Sequence, residues 1–317
     1  MSSQRRVAAS NAPLEDVAVV RHEAEERVDV AVAGQPFTSY RWAANLKKPV
    51  LYPIRDDRGT LVTRGWPLEP RPNEPSDHPH HVGMWLSYGD VAGVDFWGHS
   101  EKNSSPDKGL IVHRAVTRAE GGHGRGVLDV SCDWLMPDHH VALKETTHYA
   151  FGAAKGRRVI DRVTTLAAPV ERVSFPDNKE GVFGLRVDHA LEHPGEKNPT
   201  GTGHYVSSEA FEGEAVWGTR GRWLMLHGTL AGAPLTIAML DHPKNPGFPT
   251  YWHARTWGLM AANPLGQKAL SKGQDVLAFA IEKGSKARFA FRVLIVAGHA
   301  TPAEMEDEYR QWVKAER

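Results

Sequence analysis

The 317-residue chain holds one cysteine, Cys132, carries no net formal charge and has no apolar run approaching a membrane span. A single thiol excludes an intramolecular disulfide framework and any cysteine-based zinc site, and it fits a reducing compartment. Lys and Arg number 38 and so do Asp and Glu, which leaves no excess charge for a polyanion. No basic block is interleaved with aromatics in the way a nucleic-acid groove requires. The opening stretch, MSSQRRVAASNAPLED, lacks the apolar centre of a secretory signal. These absences predict a cytoplasmic protein with no nucleic-acid and no membrane partner. Residues 1–14 are expected to form a flexible leader, and residues 15–317 a single domain.

What is present is aromatic and turn-rich: 17 His, 10 Trp, 30 Gly and 21 Pro. Trp and His stack on sugar-like ligands and move protons near neutral pH, but a β-rich core with Gly and Pro turns gives the same composition. Strand-like alternation runs through RVDVAVAG, where Val28, Val30 and Val32 alternate with polar or small residues. It continues through 109–119, 126–135, 141–151, 157–168, 181–191, 222–230 and 233–241, and ends with DVLAFAIEKG and ARFAFRVLIVAG. The connectors EGGHGRG, FGAAKGRR, LAGAP and EKGSKAR read as hairpin turns. One helix is expected, over 302–315, with Thr301 as N-cap, Pro302 in the first turn and Glu304 completing a capping box. Without recurring strand–helix alternation, the pattern predicts an all-β fold: a large antiparallel β-sandwich with a C-terminal helix.

Three irregular stretches interrupt the strands, at 64–109, 171–180 and 241–266, and long loops of this kind in a compact domain usually carry function. The first contains DHPHH. On an extended segment His78 and His80 share a face and His81 points away. A His-x-His pair can ligate a divalent metal, but cupin spacing wants an acid where Met84 and Trp85 stand. A turn of satisfied imidazoles, with Asp77 orienting one of them, is the plainer alternative. The second stretch places Asp177, Lys179 and Glu180 beside a strand carrying Arg186. An acid next to a lysine serves as a general base or as a surface pair worth little. The third repeats the first motif as Asp241-His242-Pro243 and adds Trp252, His253 and Arg255. Two Asp-His-Pro turns beside Trp-rich segments are expected to converge on one pocket. Glu145 and His148 lie on opposite faces of their strand, so at most one faces a site.

The segments DHPHHVGMWLSYGDVAGVDFW, DNKEGVFGLRV, VWGTRGRW and DHPKNPGFPTYWHARTWGLMAANPLG resemble, in this order, the PmoA-like family of bacterial proteins, which carries a methane-oxygenase label. The resemblance runs from roughly residue 40 to residue 300. It implies a sandwich like that of galactose mutarotases, where a histidine acts as acid and a carboxylate as base. By that analogy His81 or His148 is the acid and Glu180 the base.

The resulting expectation is a carbohydrate-active enzyme doing acid/base chemistry on a sugar or keto-sugar, by epimerisation, β-elimination or hydrolysis. His81, His148, Glu180, Lys179 and Asp177 are its catalytic candidates. The substrate-binding candidates are His78, His80, His242 and His253, with Arg186 and Arg255 for hydroxyls or a carboxylate, and Trp85, Trp97 and Trp252 for stacking. Two alternatives stand beside it. One is a metal-dependent lyase or oxygenase with a divalent cofactor on His78, His80, His81, His242 and His253. The other is a non-catalytic sugar-binding module.

Overall fold

The structure is a computed structural model that describes residues 12–315; residues 1–11 of the expected leader lie outside the described residues. Two antiparallel sheets of ten and eight strands face each other, and a two-stranded ribbon joins Val173–Phe175 to Phe279–Ile281. The helix Pro302–Ala315 closes the chain. Its capping box is formed: Thr301 N donates to Glu304 Oε2 at 2.8 Å, and Glu304 N donates to Thr301 Oγ1 at 3.2 Å. The fold class read from the sequence is therefore the one observed.

The eight-stranded sheet contains the strands that alternation reveals best. In Val141–Ala154, Glu145, Thr147 and Tyr149 point into the sandwich, whereas Lys144, Thr146 and His148 point outward. The inward set includes a buried ion pair, with Arg162 Nη2 2.8 Å from Glu145 Oε1. The same carboxylate accepts from Trp134 Nε1 and Thr147 Oγ1. At the hairpin between Leu230 and Ala233, Ala231 and Gly232 both take positive φ, as a tight two-residue turn demands.

The middle of the ten-stranded sheet runs Thr250–Trp252, Leu259–Asn263, Gly181–Arg186, Met84–Tyr88 and Val50–Ile54. Met84–Tyr88 and Leu259–Asn263 fall within stretches expected to be irregular. Every residue of both strands is buried, so neither shows the in–out alternation on which such expectations rest. Met84, Leu86, Phe183, Leu185, Met260, Ala262 and Trp252 face the main core. Trp85, Leu259 and Ala261 form a second apolar cluster on the opposite, outer face, with Tyr52 and Trp97. No helix of the described residues is long and apolar enough to cross a membrane.

Candidate functional site

Strand register assembles the outer face of the ten-stranded sheet row by row. Gly184 pairs with Trp85 on one side and with Ala261 on the other, and His253 N donates to Ala261 O at 2.9 Å. The middle row is thus His253, Ala261, Gly184, Trp85, with its two smallest members at the centre. A methyl group at Gly184 would sit 2.6 Å from Cζ2 of Trp85, so the indole lies directly on the glycine. Arg186 and the histidine loop border this row at one end of the strand Gly181–Arg186, and Glu180 borders it at the other.

At the first end, the segment 76–82 is a turn and not an extended strand. His78 adopts a left-handed φ of 43°, and His81 N donates to His78 O at 3.0 Å. The expected parity is therefore reversed, because the turn puts His78 and His81 on one side with their rings stacked 4.9 Å apart. Trp85 continues the stack beneath His81 at 5.1 Å, and Trp257 covers His78 at 4.7 Å. Trp97 Nε1 donates to His81 Nε2 at 3.2 Å, which places the ring proton on Nδ1, a buried atom with no partner. Burial, reinforced by the charges of His80, Arg186, His78 and Arg64, pushes His81 well below the ordinary histidine range. Burial likewise lowers His80 to about 2. His81 is thus a neutral, enclosed ring and not an exposed general acid.

Asp77 ties this end together. Its Oδ1 accepts from Arg64 at 2.6 Å and from Arg186 at 3.2 Å, and its Oδ2 lies 2.7 Å from His78 Nδ1. Burial works to raise the Asp77 pKa, but the His78 hydrogen bond and the two arginines outweigh it and hold the carboxylate ionised. Arg186 is fully buried, lies 4.4 Å over Trp257 and sits 3.6 Å from Glu192. Lys48, which nothing in the sequence marks out, donates to Trp97 O and His99 O at 2.9 and 3.2 Å. Burial drops its pKa to about 7.

At the other end Glu180 is held from several sides. Lys179 contacts its Oε1, its backbone N donates to Asn178 Oδ1 at 2.9 Å, and its Oε2 lies 3.8 Å from His253 Nδ1. Arg255 Nε donates to His253 Nε2 at 3.3 Å, so the His253 proton resides on Nδ1, toward Glu180. Burial lowers His253 to about 4, against the opposing pull of Glu180. The Arg255 guanidinium lies 4.8 Å over Trp217. Glu180, Arg255 and Trp217 are half-buried and face solvent. The result is a carboxylate, a neutral imidazole and a guanidinium in line beside an aromatic ring, an arrangement in which the carboxylate can accept a proton while the imidazole N–H orients it.

Several expected site residues are elsewhere. His148 sits on the outer face of the other sheet, 2.5 Å from Asp129. Asp177 spends both oxygens on the amides of Lys268 and Ala269, each at 2.6 Å, capping the short helix Gln267–Leu270. The second Asp-His-Pro turn does not join the first. Asp241 accepts from Asn245 and Thr250 at 2.7 and 2.8 Å, which organises its own loop, and His242 packs edge-on against Trp312 of the C-terminal helix. Trp252 points into the main core, and Trp85 and Trp97 are sealed beneath the histidine column. The half-buried tryptophans of this region are Trp217 and Trp257, which strand parity alone did not single out. Among the described residues no three His, Cys, Asp or Glu side chains are grouped as a metal centre. The five histidines proposed as ligands are divided between the stacked column, His253 and the distant His242.

A family model matches residues 27–310, and its description is a family of unknown function, DUF6807. The chain belongs to this family. The finding overturns the PmoA-like resemblance and its methane-oxygenase label, because the shared segments belong to DUF6807. No curated protein matches the sequence. Among solved structures, the chain is similar to the GH36 α-galactosidase AgaB from Geobacillus stearothermophilus, with 13% identity and a TM-score of 0.42 over 89% of this chain and 41% of that one. It is also similar to the galactosidase domain of the α-galactosidase-sucrose kinase AgaSK, with 8% identity and a TM-score of 0.44 over 89% and 42%. A glycoside hydrolase family 97 enzyme from Pseudoalteromonas sp. strain K8 gives 6% identity and a TM-score of 0.32 over 90% and 34%. The chain thus spans about two-fifths of the length of the two galactosidase structures.

Proposed function

We propose that the chain is a carbohydrate-active enzyme that performs acid/base chemistry on a sugar or keto-sugar at the outer face of the ten-stranded sheet. The observation that carries this reading is the line of Glu180, His253 and Arg255 beside the half-buried rings of Trp217 and Trp257. Glu180 is the base: Lys179 offsets its charge, and it reaches solvent. His253 positions it, with its Nδ1 proton directed at Glu180 and its ring held by Arg255. The gap of 3.8 Å is longer than a hydrogen bond, as is common before a ligand tightens a site. Trp257, backed by His78 and Arg186, and Trp217, backed by Arg255, supply flat surfaces for a sugar ring.

A sugar-binding module without turnover needs the aromatic faces but not the Glu180–His253–Arg255 line. The two readings separate when the purified chain is offered a panel of neutral, keto and acidic sugars, with binding followed by calorimetry and turnover by NMR. Turnover of a panel member supports the enzyme. Binding with no chemical change across the panel contradicts it.

A further inference from the structure

The cations around the site are not equally occupied. Arg64 and Arg186 share Asp77, and Lys179 faces Glu180. Arg255 faces no carboxylate among the described residues; its side-chain partners are His253 Nε2 and the Trp217 ring. Those two contacts fix it. The Nε bond sets the roll of the guanidinium and the indole supports one flat face, so the plane is held before any ligand arrives. Nη1 and Nη2 donate to no protein atom among the described residues, and the side chain is only half-buried. The free edge is therefore the end-on fork, whose two parallel N–H groups match the two oxygens of a carboxylate.

We propose that Arg255 receives a carboxylate of the ligand, so that the sugar taken by this site is a sugar acid of the hexuronate type. The inference rests on the outer face being a sugar site, and it narrows the substrate class within that reading. Arg186 cannot serve the same purpose, because it is fully buried and already committed to Asp77. Lys179 cannot either, because its ammonium is held by Glu180.

The test is calorimetric binding of D-galacturonate and D-glucuronate, and of short uronate oligomers, beside galactose, glucose and their oligomers. The probes are titrated into the intact chain and into Arg255→Gln and Arg255→Lys. Uronates are expected to bind about 10- to 100-fold more tightly than the matching hexoses, the scale of one charge-assisted bidentate contact. Arg255→Gln is expected to erase that difference, with an unchanged melting temperature showing that the fold persists. If Arg255→Gln fails to fold, Arg255→Lys carries the test, since it keeps the charge and loses the fork, and most of the preference should vanish. Hexoses binding as tightly as uronates would overturn this inference while leaving the sugar site intact. A uronate preference that survives in folded Arg255→Gln would place the carboxylate elsewhere and overturn it too. Binding of neither class would refute the sugar-site reading itself, and this inference with it.

Discussion

Glu145 and His148 share a strand, and the structure gives Glu145 a scaffold role that stability measurements can check. Both it and Arg162 are buried, with side chains 3% and 5% exposed. Glu145→Ala would leave a guanidinium without its carboxylate and would orphan the Trp134 indole N–H, while the Thr147 hydroxyl would keep only Thr164. Removing one partner of a buried pair costs about 3–5 kcal/mol. For 317 residues, an unfolding entropy near 2.1 cal/mol/K per residue makes each kcal/mol worth roughly 1.5 °C. The expected fall in melting temperature is therefore about 5–8 °C, read by calorimetry. The double variant Glu145→Leu with Arg162→Met is expected to recover most of that loss, because the cost lies in the stranded charge and not in a missing attraction. A single variant melting within ~1 °C of the parent, or a double variant less stable than the single, would refute the reasoning.

Two further outcomes follow from the site. Gly184→Ala places a methyl group against the Trp85 indole, which is enclosed and cannot move aside; a loss of about 1–3 kcal/mol in denaturant titration is expected, with altered near-ultraviolet circular dichroism from the displaced aromatic column. His253 titrates near 4 in the folded chain and near ~6.5 once unfolded. Between these values the unfolded state binds the extra proton, so stability is lost as pH falls from ~6.5 toward 4. His253→Gln is expected to flatten that acid limb of the melting-temperature profile, and an unchanged limb would assign the loss to other groups.

How legible each part was depended on how many of its faces are covered. Val141–Ala154 and Arg157–Ala167 alternate because one face of their sheet is open, and both are readable strands. Met84–Tyr88 and Leu259–Asn263 are covered on both faces, so their sequences, MWLSY and LMAAN, carry no period. Glu180, Lys179, His253 and Arg255 were all visible as candidates, and the fold brings them together. The histidine loop misled through geometry: the left-handed turn at His78 undid a parity argument that assumed extended chain. The second Asp-His-Pro motif misled through chemistry, since the Asp241 oxygens are consumed by Asn245 and Thr250 in their own loop. Trp252 and Trp257 stand five residues apart. Strand parity sends the first into the core, while the hairpin tip presents the second at the rim. Lys48 gave no signal because its role depends on burial against backbone carbonyls distant in sequence.

In the proposed reaction Glu180 removes a proton from a sugar bound on the outer face of the ten-stranded sheet. Its most direct test is the turnover of Glu180→Gln at saturating substrate, with the dissociation constant measured on the same preparation. Turnover is expected to fall by about 10²- to 10⁴-fold, the usual contribution of a general base, with binding changed less than about tenfold. Turnover equal to that of the parent chain would contradict it.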